Sequence, residues 1–130
     1  MAALPEQPSA LLVDDNPAAL RALAMLLEML GWDTAKTGNS DEALAWLKER
    51  DFDLAIIDLN MPVMNGIELC RLISRQTREK TPIIFILSGY VDAKTHAEAL
   101  ISGARVVLHK PMGLDDIRGV LQKFGLPCKI

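Results

Sequence analysis

The stretch Leu-Leu-Val-Asp-Asp-Asn-Pro at residues 11–17 joins a short apolar run to two acidic residues, an asparagine and a proline. A continuous apolar run of this length, over residues 10–13, is typical of a strand that is buried on both faces of a parallel sheet. Asn16 and Pro17 are typical of a helix N-cap and of the first helical position. The stretch therefore predicts a strand followed at once by a helix, with Asp14 and Asp15 at the turn between them.

The same alternation of strand and helix continues along the rest of the chain. Leucines at helical spacing after Pro17 predict a first helix that ends at Gly31. Asn39, followed three residues later by Glu42, predicts a capped second helix. Further strands are predicted over residues 32–37, 54–57, 83–87 and 106–108, and further helices over about 40–50, 66–78, 93–102 and 114–124. Five such units predict an α/β fold with a doubly wound five-stranded parallel sheet in the order 2-1-3-4-5.

Length and composition indicate a single soluble domain. The 130 residues are half apolar and carry a formal net charge of −3, so no basic field indicates binding to nucleic acid or to an acidic membrane surface. We expect the domain over residues 9–124, with a leader at 1–8 and a C-terminal tail at 125–130. The leader lacks the features of a signal peptide, and Cys70 and Cys128 are too few for a disulfide framework, so a cytoplasmic location is expected.

Polar residues follow four of the predicted strands. Asp14 and Asp15 follow the first, Asp58 the third, Ser88 the fourth and Lys110 the fifth. Because the carboxyl ends of parallel strands lie along one edge of the sheet, these side chains are expected to converge there. Two unit charges about 4 Å apart interact by roughly 4 kcal/mol at an effective dielectric constant near 20, so three clustered carboxylates favour a bound cation. Mg²⁺ prefers carboxylates, water and phosphate oxygens, and is the expected cofactor.

A carboxylate beside a bound Mg²⁺ can attack phosphorus, because phosphoryl transfer depends mainly on positioning and charge neutralisation. Asp58 is the candidate nucleophile, Lys110 can pair with a phosphoryl oxygen, and Ser88 can donate a hydrogen bond to another. Each residue has a simpler interpretation when taken alone. Asp14 and Asp15 can cap or solvate the start of the first helix. Asp58 and Ser88 can stabilise turns, and Lys110 can lie in solvent. Their joint placement at one edge of one sheet favours the phosphoryl site.

In this order and spacing, the motifs resemble those of the response regulator receiver family over roughly residues 9–124. The matching segments are Leu-Leu-Val-Asp-Asp-Asn-Pro (11–17), Asp-Leu-Asn-Met-Pro-Val-Met-Asn-Gly (58–66), Pro-Ile-Ile-Phe-Ile-Leu-Ser-Gly (82–89), Gly-Ala (103–104) and Lys-Pro (110–111). The resemblance implies a flavodoxin-like (βα)5 fold, similar to that of the chemotaxis regulators, and a role in two-component signal transduction.

By this resemblance, Asp58 accepts a phosphoryl group from a histidine kinase or a histidine phosphotransfer protein. The domain is then a phosphoacceptor that catalyses its own phosphoryl transfer and slow dephosphorylation, and is not a turnover enzyme. The resemblance further implies that Asp15, Asp58 and the backbone carbonyl of Asn60 bind Mg²⁺ directly. It implies that Asp14 acts mainly through water.

The resemblance also implies that Lys110 and Ser88 read the phosphorylated state, and that the peptide bond between Lys110 and Pro111 is cis. Asn60 and Tyr90 occupy positions similar to those that tune the lifetime of the phosphorylated form. The implied partners are the kinase and a downstream protein target. Many relatives form a homodimer through the fourth helix, fifth strand and fifth helix, whereas no contact with nucleic acid or membrane is expected.

Three positions depart from the family pattern. Val107 stands where an aromatic residue often swings inward on phosphorylation, which leaves the usual switch in doubt and makes Tyr90 a candidate substitute. Asn65 replaces a frequent aspartate before the glycine of the Met-Pro loop. Met112 stands after Lys-Pro where an aromatic residue is common.

Three competing interpretations differ in what they require of the sequence. An enzyme of the haloacid-dehalogenase type needs a second aspartate two residues after Asp58, where this chain has Asn60. A flavin-binding domain needs a phosphate loop after the first strand, where Asp14 and Asp15 would repel the phosphate. A receiver-like docking module that is not phosphorylated stays open as the alternative, since Val107 departs from the family's switch.

Overall fold

The computed structural model describes residues 7–61, 64–76 and 80–129, and over these ranges strands alternate with helices. The elements in chain order are β1 (Ser9–Val13), α1 (Pro17–Met29), β2 (Asp33–Thr37), α2 (Ser40–Glu49), β3 (Leu54–Asp58), α3 (Gly66–Arg75), β4 (Ile83–Ser88), α4 (Ala93–Ser102), β5 (Val106–His109) and α5 (Leu114–Lys123). The five predicted βα units are therefore all present.

The five strands form one parallel sheet in the order β2-β1-β3-β4-β5, which confirms the predicted topology. Strand register aligns the carboxyl ends of the central strands. Val13 of β1 pairs with Ile57 of β3, and Asp58 pairs with Leu87 of β4. The residues that end β1, β3 and β4 consequently lie along one edge of the sheet, where ligands bind in folds of this type.

Each face of the sheet is covered by helices, and successive residues of a strand point to opposite faces. In β3, Ala55 and Ile57 belong to the core beneath α2, α3 and α4, whereas Leu54 and Ile56 belong to the core beneath α1 and α5. All four side chains are at most 1% exposed. Full burial of a Leu or Ile side chain contributes roughly 1.5–3 kcal/mol, so this central strand is a rigid support for Asp58 at its end.

Side chains cap the N-termini of four helices. Asn16 and Asn39 accept hydrogen bonds from the first turns of α1 and α2, as the sequence predicts. Asn65 and Asp92 cap α3 and α4 in the same way. Such a cap typically contributes about 1 kcal/mol.

The observed ends of the elements differ from the predicted ends by a residue or two at several places. Trp32 precedes β2, Arg50 and Phe124 are the C-caps of α2 and α5, and β4 and β5 each continue one residue further than predicted. Differences of this size arise because helix and strand ends fray. Helix α3 ends at Arg75, and the predicted helix end at residue 78 lies outside the described residues.

The segment after α5 packs back onto the domain. The Trp32 indole N–H donates to the carbonyl of Pro127 at 2.8 Å, and the Lys129 N–H donates to the carbonyl of Leu30 at 2.8 Å. Leu126 and Cys128 pack against the core beneath α1 and α5. Residues 126–129 are thus held against the turn between α1 and β2, while residues 1–6 of the predicted leader and residue 130 lie outside the described ranges.

Helix α1, with 13 residues, is the longest helix of the described ranges. None of the helices there has both the length and the apolar composition needed to cross a bilayer.

Candidate functional site

Three carboxylates meet where β1 and β3 end. Asp14 and Asp15 follow β1, and Asp58 is the last residue of β3. One carboxylate oxygen from each of them lies within 4.8 Å of the other two. Asp14 and Asp58 are buried, at 5% and 4% exposure, whereas Asp15 faces solvent. Within residues 7–61, 64–76 and 80–129, this is the only group of three metal-ligating side chains at such distances.

Lys110 lies between the two buried carboxylates. Its Nζ is 3.0 Å from Oδ2 of Asp14 and 3.0 Å from Oδ1 of Asp58. The backbone directs it there, because the Lys110 N–H donates to the carbonyl of Ser88 at the end of β4. The predicted convergence of Asp14, Asp58 and Lys110 is therefore observed. The lysine offsets part of the carboxylate repulsion, but one ammonium against three carboxylates leaves an excess of negative charge.

The two acidic residues after β1 differ in what they already bind. Oδ1 of Asp14 accepts a hydrogen bond from the Asn16 N–H at 2.9 Å, and its Oδ2 binds Lys110, so both of its oxygens are engaged. Asp15 has no hydrogen bond or ion pair with any other residue of the described part of the chain, and its carboxylate is open to solvent. Asp15 is therefore the more accessible ligand for a cation, and Asp14 is better suited to contact through water.

The environment of Asp58 and Lys110 raises the pKa of both side chains. Burial, reinforced by the negative charge of Asp14, raises the pKa of Asp58 above its ordinary value, against the lowering effect of Lys110 and of the Asn60 N–H. Burial lowers the pKa of Lys110, but the hydrogen bonds and charges of Asp14 and Asp58 outweigh it, so the pKa of Lys110 is raised. The nucleophile candidate is thus held beside a permanently charged lysine while its own charge is disfavoured.

The donor set fits Mg²⁺. Two of the three carboxylate groups are nearly buried and the third is open to solvent. Mg²⁺ prefers hard oxygen ligands, typically one or two carboxylates together with water and a phosphate oxygen, and this donor set matches that preference. Asn60 is exposed directly beyond Asp58, and its N–H contributes a hydrogen bond to the Asp58 carboxylate. Metal binding by the Asn60 carbonyl stays a prediction, and the loop positions 62 and 63 lie outside the described residues.

A family model described as response regulator receiver domain matches residues 10–122 of the chain. This chain belongs to the response regulator receiver family. The match extends from β1 to α5, so it includes every strand and helix that contributes a residue to the carboxylate site.

Two curated relatives show the proteins in which similar receiver domains occur. The chain is 34% identical over 115 residues to the sensor protein EvgS of Escherichia coli (strain K12), covering 88% of this chain and 9% of that protein. It is 36% identical over 101 residues to the DNA-binding response regulator MtrA of Mycolicibacterium smegmatis, covering 78% of this chain and 43% of that protein. The chain spans less than half the length of either relative. The expectation that this receiver makes no contact with nucleic acid has no support from these relatives and stays a prediction.

Solved structures show the same fold. The chemotaxis protein CheY4 of Vibrio cholerae superposes with a TM-score of 0.85 at 28% identity, covering 91% of this receiver and 98% of that chain. The receiver domain (CheY-like) of Methylobacillus flagellatus superposes with a TM-score of 0.82, also at 28% identity, with coverage of 91% and 98%. These likenesses agree with the flavodoxin-like fold expected from the sequence.

Ser88 of this receiver is fully buried at the end of β4. Its hydroxyl donates to the Tyr90 carbonyl at 2.6 Å, and its Oγ accepts from the Tyr90 N–H at 3.2 Å. This is the turn interaction that was the simpler interpretation of Ser88. The role of Ser88 in reading a phosphoryl group stays a prediction, and it would require the hydroxyl to change its acceptor.

The positions that depart from the family pattern lie in three different places. Val107 is half-buried at a cleft of about 240 Å³ between α4 and β5, whereas Tyr90 is 78% exposed. Asn65 caps α3, a role that an aspartate could also fill. Met112 lines a smaller apolar cavity of about 170 Å³ beside Asp14 and Lys110. The peptide bond between residues 110 and 111 is cis, which confirms the expectation from the family.

Gly66 is a positioning residue to which the sequence reasoning assigned no role. A Cβ atom at this position would lie 2.5 Å from the carbonyl oxygen of Asp58 and 2.9 Å from Cα of Leu59. The Gly66 N–H also donates to the Leu59 carbonyl at 2.9 Å. The start of α3 therefore packs directly against the backbone that carries Asp58. The Asn-Gly pair at 65–66 was the available signal, but only the tertiary contact explains why glycine is needed.

Proposed function

We propose that this receiver accepts a phosphoryl group on Asp58, with Mg²⁺ bound beside it, from the phosphohistidine of a histidine kinase or histidine phosphotransfer protein. The observation that supports the proposal is the convergence of three carboxylates and one lysine at the edge of the sheet. A structural ion pair would balance its charges, whereas this cluster keeps an excess of negative charge. Such a cluster is suited to a cation and to the phosphoryl group that the cation neutralises.

Asp15, Asp58 and the carbonyl of Asn60 would hold the Mg²⁺, and Asp14 would act through water. When bound, the cation neutralises the charge of the incoming phosphoryl oxygens, which would otherwise be repelled by the carboxylates. Both oxygens of Asp14 are already engaged in the structure, and Asp15 is open to solvent. This division supports the assignment of the ligands.

The chemical step forms one bond and breaks one. A carboxylate oxygen of Asp58 attacks the phosphorus, the phosphorus–nitrogen bond of the donor phosphohistidine breaks, and the imidazole leaves with the electron pair and takes up a proton. Lys110 exchanges its contact with the Asp58 carboxylate for a phosphoryl oxygen, and Ser88 donates its hydroxyl proton to another. Attack of water on the acyl phosphate later restores Asp58 and releases phosphate. Each protein molecule is therefore both substrate and catalyst.

The proposed partners are the phosphodonor protein and a downstream protein that recognises the phosphorylated form. Relatives of this receiver include a sensor protein and a DNA-binding response regulator, so transfer from a kinase and output through another domain or protein are both compatible with them. We also propose a cytoplasmic location, in keeping with the two free thiols of Cys70 and Cys128. A homodimer through α4, β5 and α5 is a further proposal carried over from the family.

Intact-mass measurement after incubation with acetyl phosphate and Mg²⁺ tests the proposal. We expect wild type to gain the mass of one phosphoryl group, and the gain to require Mg²⁺. Asp58→Asn removes the nucleophile and should gain nothing. Asp53→Asn is the matched control, because Asp53 lies at the opposite end of β3, and it should be phosphorylated like wild type.

The same measurement decides the alternative of a docking module that is not phosphorylated. No adduct with acetyl phosphate, or with a panel of phosphorylated histidine phosphotransfer proteins, would overturn the proposal in favour of that alternative. An adduct that persists in Asp58→Asn would show that another residue is modified and would equally overturn it.

A further inference from the structure

The core beneath α1 and α5 is incompletely filled at the edge of the sheet. A cavity of about 170 Å³ lies there, bounded by the carboxyl ends of the strands, by α1 and by residues 110–112 after β5. We call it the α1 cavity. Protein interiors are normally packed as densely as organic crystals, with few voids larger than a water molecule, so an unfilled space of this size calls for an occupant.

Most of the side chains around the α1 cavity are apolar and buried. The strands contribute Val13, Ile56 and Leu87, which are at most 6% exposed, and α1 contributes Leu20 and Leu23, each 8% exposed. These walls belong to the packed core beneath α1 and α5. An occupant of the cavity is therefore shielded from solvent on several sides.

Of the described residues that line the cavity, only Asp14 and Lys110 are charged, and their polar atoms already have partners. Nζ of Lys110 lies 3.0 Å from Oδ2 of Asp14, and Oδ1 of Asp14 accepts from the Asn16 N–H at 2.9 Å. A water molecule inside a protein is typically held by roughly two to four polar partners. The side chains of the α1 cavity offer water few such partners, and an apolar molecule that displaces poorly held water gains affinity.

The cavity reaches the surface between α1 and the turn after β5. Among its lining residues there, Ala22 and Pro111 are exposed, and Ala19 and Met112 are half-buried. The alanine side chains are short, so α1 does not close the cavity. Met112 is unbranched and flexible, and the sulfur of a methionine makes favourable contacts with aromatic rings.

Volume and charge restrict what can bind in the α1 cavity. An apolar cavity of ~150 Å³ holds one benzene ring, so this slightly larger space is suited to a single ring with a small substituent. A charged ligand would lose its hydration without gaining a free counter-charge, because Lys110 is already shared between Asp14 and Asp58.

We propose that the α1 cavity is a binding site for a small uncharged aromatic molecule, about the size of toluene. This site is separate from the phosphoryl site and does not require phosphorylation of Asp58. Because Asp14 and Lys110 form part of its wall, a molecule bound there lies against two residues of the carboxylate site. The cavity is thus a route by which a small molecule acts on that site independently of the phosphodonor.

NMR of protein with ¹³C-labelled isoleucine methyl groups tests the proposal when toluene is added. Ile56 and Ile57 are neighbours in β3 on opposite faces of the sheet. Ile56 lines the α1 cavity, whereas Ile57 belongs to the core beneath α2, α3 and α4. We expect saturable chemical-shift changes at Ile56 and none at Ile57. Benzoate has a similar shape but carries a charge, and it should leave both signals unchanged.

Ala22→Leu places a larger side chain at the entrance of the cavity and should weaken toluene binding severalfold. Ala97→Leu is the matched control, because it makes the same change at an exposed position of α4 outside the cavity, and it should bind toluene like wild type. The comparison of Ile56 with Ile57 uses wild type, so it does not depend on how well either variant folds.

Three results would each overturn the proposal. The first is no saturable change at Ile56 up to the solubility of toluene. The second is equal changes at Ile56 and Ile57, which would mean that toluene partitions into the whole core. The third is an unchanged affinity in Ala22→Leu. Benzoate binding as tightly as toluene would overturn the assignment of an uncharged ligand.

Discussion

An aspartate and a lysine pair at each end of the sheet, and the two pairs have opposite electrostatic character. At the amino end, Asp53 precedes β3 and its carboxylate binds Lys80 and accepts from the Ser9 N–H at 2.9 Å. The backbone N–H of Asp53 donates to the Ser9 carbonyl, and its carbonyl accepts from the Ile83 N–H. Burial opposes ionisation, but the hydrogen bonds from Lys80 and Ser9 outweigh it and lower the pKa of Asp53. The Asp53 carboxylate thus has both a cation and a backbone N–H as partners.

At the carboxyl end of the same strand, Asp58 shares one lysine with Asp14 while Asp15 adds a third negative charge. Burial and the charge of Asp14 raise the pKa of Asp58. At both ends the aspartate and its partners belong to neighbouring parts of the same sheet, so the fold does not explain why their electrostatic character differs. The difference comes from the ratio of carboxylates to cations. One end stabilises the protein as it stands, and the other end keeps an excess of negative charge, which the Mg²⁺ of the proposed function would offset.

Adding Mg²⁺ should produce the largest change in stability, and that change should depend on the carboxyl end of the sheet and not on the amino end. Under the proposed function Mg²⁺ binds the folded cluster and not the unfolded chain, so a concentration of 100 Kd should raise the free energy of unfolding by about 2.7 kcal/mol. Asp15→Asn removes the most accessible ligand and should abolish most of the gain, whereas Asp53→Asn should keep it. Urea titrations with and without Mg²⁺ measure the effect. An equal gain in Asp15→Asn would place the cation elsewhere.

Replacing each lysine should show the next largest effect. Lys110→Met leaves two nearly buried carboxylates without their cation and should lower the free energy of unfolding by about 2 kcal/mol in the absence of metal. Lys80→Met removes a half-exposed lysine, whose interaction is screened by solvent, and should cost about 0.5 kcal/mol. Chemical unfolding at neutral pH compares the two variants. Equal losses would contradict the distinction between the two ends.

Sequence patterns predicted the strands and the members of the carboxylate site because both depend on local features, and the strand order followed from the usual arrangement of five βα units. Apolar runs define buried strands, and the residue after each run lies at a known edge of a parallel sheet. The same reasoning missed Asp53, which resembles any polar residue before a strand, and the contact of Gly66 with Asp58. It also missed the packing of residues 126–129 onto Trp32. Each of these depends on distances between segments far apart in the chain, which a local pattern does not contain.

Acid should remove the contribution that Asp53 makes to stability at the amino end of the sheet. Because the folded pKa of Asp53 is lowered, its contribution to stability is present at pH values above the unfolded value of 3.8 and is lost as the pH falls through the folded pKa. The stability difference between wild type and Asp53→Asn should be about 1 kcal/mol at neutral pH and should vanish in that acidic range. Unfolding curves for both proteins from pH 7 to strongly acidic pH provide the check. A difference that is constant with pH would mean that the carboxylate charge contributes nothing.

The smallest expected effect is the change in stability on replacing Asp58. It tests the central claim most directly, because the claim predicts whether the free energy of unfolding rises or falls. Without metal, Asp58→Asn removes a charge whose ionised form is disfavoured in the folded protein and should raise the free energy of unfolding by roughly 0.5–1 kcal/mol. The matched Asp53→Asn should lower it. Paired urea titrations in a chelating buffer at pH 7 give both values. Opposite signs are predicted, and a loss of stability in both variants would contradict the view that the carboxyl end is arranged for a ligand at the expense of the empty fold.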